Sequence, residues 1–200
     1  MEHVFIDKKS KNVFILLHGT GGNEYDLVNV AEMIDKNTSI LGIRGNVNEG
    51  GMNRFFKRFA PGIYDLESYK NETNHLVETI KELSNKYNFK LENVTVIGFS
   101  NGANIGLGMI QEFPSLINNY VLFSPDYINS DKGFSNLEGM NIFLSTSRND
   151  TMVDFENIIK LLSKLKNENA NLDIYYGLGH RIEHEALIDV KNWYTKILKK

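Results

Sequence analysis

The chain has 200 residues, 42% of them hydrophobic, including 12 Phe and 9 Tyr, which is enough to bury a sizeable core in one domain spanning residues 1–200. Its formal charge is −3, from 25 acidic and 22 basic residues, and the only like-charge clusters are Lys199-Lys200 and the short group Arg54, Lys57 and Arg58, so a nucleic-acid surface and an acidic tail are excluded. The lack of cysteine removes disulfides, thiolate zinc sites and cysteine nucleophiles together, and no window reaches the ~18–20 apolar residues of a membrane span or forms a secretory signal, so a cytoplasmic location is expected.

Val13-Phe14-Ile15-Leu16-Leu17 is a continuous apolar run, as expected of a strand buried on both faces. The glycine-rich loop His18-Gly19-Thr20-Gly21-Gly22-Asn23 follows, and Glu24 to Ile34 has helical spacing at Leu27, Val30, Ala31 and Ile34. Ser39 to Ile43 is predicted as a short strand. Arg44 to Tyr69 has no clear period and reads as a long loop, of a length that is usually functional. Glu72 to Tyr87 is predicted helical. Asn93 to Ile97 reads as a strand, and Ala103 to Phe113 as a helix stopped by Pro114. Tyr120 to Phe123, Asn141 to Ser145 and Leu172 to Tyr176 are further strands, with helices at Phe155 to Leu165 and Glu183 to Leu198. This alternation predicts an α/β fold, a mostly parallel sheet with helices on both faces.

Gly98-Phe99-Ser100-Asn101-Gly102 lies between a strand and a helix. In that setting G-x-S-x-G is a nucleophile elbow, which holds the serine in a strained turn with its Oγ clear of the sheet. Gly98 and Gly102 keep the crossing of strand and helix free of a Cβ. The competing reading is an ordinary glycine-rich turn whose serine caps the helix.

Sites in such sheets form at the carboxyl ends of the strands, and four polar loops there carry Thr20, Ser100, Asp150 and His180. A serine hydroxyl needs a base within hydrogen-bond reach, and the base needs an orienting acid. His180 is the expected base, in a loop that Gly177 and Gly179 allow to bend toward the elbow. His184 is its one serious rival; His3 and His75 read as structural or surface residues, and His18 as a local prop. Asp150 is the expected acid, ahead of Asp126 and of Asp154, which reads as a helix start. The order Ser, Asp, His is that of the α/β-hydrolase triad. The Asn101 amide supplies one oxyanion donor. The Thr20 amide supplies the second, with Gly21 the alternative. A phosphate cradle is the weaker reading of that loop, which lacks a P-loop lysine.

The chain resembles the α/β-hydrolase superfamily and, within it, the small bacterial phospholipase/carboxylesterase group, which includes hydroquinone- and quinone-induced hydrolases of Gram-positive bacteria. The matching motifs are His18 to Gly22, Arg44-Gly45-Asn46-Val47, Gly51 to Phe56, Gly98 to Ile105, Asn149-Asp150 and Gly179-His180. Thr151-Met152-Val153 departs from relatives that carry a proline near the acid. The resemblance implies a triad of Ser100, Asp150 and His180, hydrolysis of carboxylic esters, and no metal or other cofactor. The expected partner is a small-molecule ester with a short acyl chain or a small aromatic group, since no insertion is long enough for a large lid. Thioester, lysophospholipid and lactone substrates fit the same triad, and a non-catalytic binding module is the reading from another class. A homodimer is compatible with all of them. Met52, Arg54, Phe55 and Phe56 are candidates for the pocket wall; alternatively the two rings pin a surface loop to the core and Arg54 sits in a structural ion pair.

Overall fold

A computed structural model describes residues 1–199. The chain runs β1 (His3–Ile6), β2 (Val13–Leu17), α1 (Val28–Ile34), β3 (Ser39–Ile43), β4 (Val47–Glu49), β5 (Met52–Arg54), β6 (Arg58–Ala60), β7 (Ile63–Tyr64), α2 (Leu66–Tyr87), β8 (Val94–Phe99), α3 (Asn101–Glu112), β9 (Asn119–Phe123), β10 (Asn141–Thr146), α4 (Phe155–Asn167), β11 (Asn171–Tyr176) and α5 (His184–Ile197). Seven strands form one sheet in the order β1-β3-β2-β8-β9-β10-β11. Only β1 is antiparallel to its neighbour.

The inner strands of the sheet are buried on both faces, which explains their continuous apolar runs. Successive residues of a strand point to opposite sides. Val13, Ile15 and Leu17 pack into one core with Leu76 and Ile80 of α2, Ile105 and Met109 of α3 and Leu161 of α4. Phe14 and Leu16 enter a second core with Ala31 and Ile34 of α1 and Val190 and Trp193 of α5. The order of the strands puts β8 beside β2 and β9, so the elbow emerges near the middle of the sheet.

Two predicted boundaries are corrected. Helix α1 begins at Val28 rather than at Glu24. Asn23 Oδ1 accepts from the Tyr25 amide, which starts a turn, and the Glu24 carboxylate is held by Arg44, at 2.6 Å from Nε and 2.8 Å from Nη2. The segment from Arg44 to Tyr69 is not a structureless loop. Val47 pairs with Arg54 and Glu49 with Met52, around a two-residue turn at Gly50-Gly51 in which both glycines have positive φ. A second hairpin, β6–β7, follows, and Asp65 caps α2 by accepting from the Ser68 amide, so that helix starts six residues before Glu72. Arms of two or three residues are too short to show a period in the sequence.

Candidate active site

Ser100 follows β8 directly, with φ 52° and ψ −114°, a positive-φ backbone that a non-glycine residue adopts only under constraint. The constraint is visible. The Ser100 amide donates to the Phe123 carbonyl at 2.9 Å. A Cβ on Gly98 would lie 2.6 Å from the Gly102 carbonyl oxygen, and one on Gly102 would fall on the Leu17 carbonyl. Ser100 occupies the N-cap position of α3 but makes no side-chain cap bond. Its Oγ is 2.8 Å from His180 Nε2 instead. The helix-capping reading of the serine is thereby excluded.

His180 Nδ1 is 2.7 Å from Asp150 Oδ2, and the other carboxylate oxygen accepts from the Met152 and Val153 amides at 2.8 and 3.2 Å. An acceptor-only carboxylate assigns the proton to Nδ1, and this leaves the Nε2 lone pair facing the serine hydroxyl. The sheet register produces the meeting: Thr146 lies beside Tyr176, so the loops after β10 and β11 leave side by side. The rivals stand elsewhere. His184 is exposed at the first turn of α5. Asp126 Oδ1 accepts from Asn157 Nδ2 at 2.7 Å, and Asp154 caps α4.

Two supports of this side have no counterpart in the sequence reading. Ser147 Oγ accepts from the amides of Asn149 and Gly179, at 3.0 and 2.9 Å, and so ties the acid loop to the base loop. Glu183 accepts from the Leu178 amide, Tyr175 Oη and Arg181 Nε, bracing the loop on the other flank of His180. These hydrogen bonds hold its carboxyl below the usual range although partial burial opposes them. The Ser-x-Asn-Asp pattern at 147–150 is a recognisable local turn signal for the first of them.

The loop after β2 is shaped from the opposite side of the serine. His18 is buried; its Nδ1 donates to the Gly19 carbonyl at 2.6 Å, and its Nε2 accepts from the Gly45 amide at 2.9 Å. Burial pushes its pKa down, so the ring stays neutral in this role. Asn53 clamps the next turn, its carbonyl accepting from the Gly21 amide and its Nδ2 donating to the Gly22 carbonyl, both at 2.8 Å. Gly21 is thus engaged, whereas the Thr20 amide has no backbone acceptor among the described residues. The Asn101 amide opens α3, where the first N–H groups have no intrahelical partner.

Three of the four pocket candidates are corrected. Phe55 and Phe56 are 0% exposed, in the core with Tyr69 and Leu76, so neither ring offers surface to a substrate. Arg54 is 2% exposed. Its Nη1 donates to Thr20 Oγ1 at 2.8 Å and its Nε to the Phe56 carbonyl at 3.2 Å, and Glu49 lies 3.8 Å away. Its guanidinium points at the glycine-rich loop rather than at bulk solvent. Met52 remains exposed, near Gly21. The Asn101 side chain joins the two halves, its Oδ1 accepting from the Phe55 amide at 2.7 Å.

Comparison with known proteins bears on the family and the fold. The phospholipase/carboxylesterase family model matches residues 4–198. The protein named Putative hydrolase MhqD from Bacillus subtilis (strain 168) is 30% identical over 199 residues, covering 99% of this chain and 100% of that protein. The crystal structure of a Bacillus cereus carboxylesterase superposes with a TM-score of 0.94 at 37% identity, over 98% of this chain and 94% of that one. More distantly, acyl-protein thioesterase 1 of Candida albicans is 26% identical over 146 residues, 68% of this chain and 63% of that protein. No helix among the described residues is long and apolar enough to cross a membrane. With its α/β-hydrolase sheet, its serine at an elbow and a family match along nearly its whole length, the chain belongs to the phospholipase/carboxylesterase family of hydrolases.

Proposed function

We propose that the protein is a serine carboxylesterase acting on short-chain or small aromatic esters through an acyl-enzyme on Ser100. The observation that carries this reading is His180, placed 2.8 Å from Ser100 Oγ through one ring nitrogen and 2.7 Å from Asp150 through the other. Ser100 Oγ attacks the ester carbonyl carbon as its proton passes to His180 Nε2. The carbonyl π pair moves onto oxygen, and the amides of Thr20 and Asn101 receive the oxyanion. Asp150 stabilises the imidazolium. Collapse breaks the bond to the alcohol oxygen, which leaves with the proton from His180. Water then gives a proton to His180 and attacks the acyl carbon. The second collapse frees the carboxylic acid and returns the proton to Ser100. Each step uses groups already on the chain. The preference for small esters rests on the segment from Arg44 to Asp65, which is folded into tight hairpins with Phe55 and Phe56 inward and forms no large lid.

A fluorophosphonate probe tests the reading: it should label the protein at Ser100 and abolish hydrolysis of phenyl acetate. Unlabelled protein with intact hydrolysis would overturn it. The second reading, a thioesterase, is favoured by the acyl-protein thioesterase relative. Comparing kcat/KM for phenyl acetate and S-phenyl thioacetate separates the two, since the acyl-enzyme is the same.

A further inference from the structure

We infer that the cleft beside His180 is the leaving-group subsite and that it takes an apolar alcohol moiety up to aryl size; this rests on the esterase reading of the same site. The cleft has a volume of about 480 Å³ and is walled by Thr20, Leu27, Val30, Phe99, His180 and Ile182. That is within the ~300–1,000 Å³ of small-molecule sites. Ser100 is not part of its lining, so the cleft opens next to the reaction centre rather than over it.

The direction follows from the proton. In the tetrahedral intermediate the carbon carries Ser100 Oγ, the oxyanion, the acyl carbon and the leaving oxygen. The oxyanion faces the Thr20 and Asn101 amides. The leaving oxygen must come within hydrogen-bond reach of His180 Nε2, because that nitrogen returns the proton as the bond breaks. Its substituent therefore continues on the His180 side, where this cleft begins, and the acyl chain departs the other way.

The wall chemistry fixes the class of alcohol. Leu27 and Val30 come from α1 and the turn before it, Phe99 from the end of β8 and Ile182 from the loop before α5. The Phe99 ring stands 5.4 Å from the His180 ring, tilted by 45°, and gives a flat aromatic group a face to lie on. Arg181, at the rim, is turned to Glu183 at 3.0 Å. Asp26, the other charged residue of the lining, is an exposed carboxylate, so the cleft disfavours anionic alcohols, and selection among neutral ones is by shape and apolar contact.

The experiment measures kcat/KM for 2-naphthyl acetate and methyl acetate on the full chain, and for phenyl acetate and phenyl butyrate as an acyl control. Val30→Trp fills the cleft and should lower the naphthyl-to-methyl ratio by about tenfold or more, the size expected for a filled or emptied apolar pocket. Ile182→Ala removes a wall and should lower the same ratio several-fold; it needs no extra volume and carries the test if Val30→Trp does not fold. The butyrate-to-acetate ratio should stay at its original value in both. Alcohol ratios that do not move in folded variants would overturn the assignment. So would a shift in the acyl ratio instead, which would make the cleft the acyl subsite. Failure of the esterase reading is seen separately, as an unmodified chain that shows no Ser100-dependent hydrolysis of any of these esters.

Discussion

The two sides of Ser100 are held in different ways. On the acid–base side, the groups that would do the chemistry touch one another directly, and their supports are near in sequence: Ser147 bridges the loops of Asp150 and His180, and Glu183 braces a loop only a few residues away. On the other side, the proposed oxyanion donor of the loop after β2 is the Thr20 amide, which has no backbone acceptor among the described residues. Its position is set at a distance by Arg54, Asn53 and Gly45, all more than twenty residues further along the chain. The first kind of geometry is written in motifs. The second depends on how a separate segment folds back.

The largest effects should fall on the acid–base side. Ser100→Ala and His180→Ala are each expected to lower kcat by about 10⁶, since members of a triad fail as a unit. Asp150→Asn should cost about 10⁴, through the wrong tautomer of His180. His184→Ala, exposed on α5, should stay within about twofold, as surface substitutions do. Steady-state hydrolysis of phenyl acetate measures all four. A ranking with His184 above His180 would reassign the base.

The next effect is on stability rather than on rate. Phe55 and Phe56 are wholly buried, and truncating either to alanine should cost about 3–5 kcal/mol by urea unfolding. The preference among acyl chain lengths should not change. A changed profile in a folded variant would mean that the ring borders the pocket after all.

This contrast also separates what the sequence shows from what it hides. Ser100, Asp150 and His180 were candidates because each lies in a polar loop after a predicted strand, and the structure brings the three within hydrogen-bond reach. The strands β2, β3, β8, β9 and β10 were legible as apolar runs. The hairpins between Arg44 and Asp65 were not, because arms of two or three residues carry no period. Two turn signals were available there: Gly50-Gly51, with positive φ at both positions, and Pro61-Gly62, with positive φ at Gly62. The inward turn of Phe55 and Phe56 was one of two readings left open by the sequence. It depends on partners distant in the chain, the core around Tyr69 and Leu76 and the Phe55 amide meeting Asn101 Oδ1 across 46 residues.

Arg54 tests the long-range side directly. Its guanidinium holds Thr20 Oγ1 and so ties down the loop that carries the proposed second oxyanion donor. Arg54→Met keeps much of the packing volume and removes that bond. It should lower kcat by about ten- to a hundredfold with little change in KM, because a small misplacement of a donor weakens transition-state binding without touching the ground state. Arg54→Lys should recover only part of the loss, lacking the fork that reaches Thr20 and the Phe56 carbonyl together. If KM rose selectively for esters bearing a carboxylate, Arg54 would instead be a substrate ligand.

The smallest effect separates the two sides by pH. His18 is neutral in its role: a proton on Nε2 would break the bond from the Gly45 amide. Burial lowers its folded-state pKa, against a smaller opposing pull from the Gly19 carbonyl. In the unfolded chain the ring has its ordinary value of about 6.5. On acidification the unfolded state therefore takes up the proton first, and stability rises with pH over this range. The contribution is complete above about pH 6.5 and is lost as pH falls below that value toward the folded-state pKa. His18→Gln offers a neutral amide that can accept from Gly45 and donate to Gly19 but does not titrate. Urea midpoints measured from pH 8 to pH 5.5 should fall more steeply for the unaltered chain than for His18→Gln. His180 is present in both chains and cancels from the comparison. Parallel slopes would show that the protonation of His18 is not linked to folding, and the oxyanion side would then owe its shape to Arg54 and Asn53 alone.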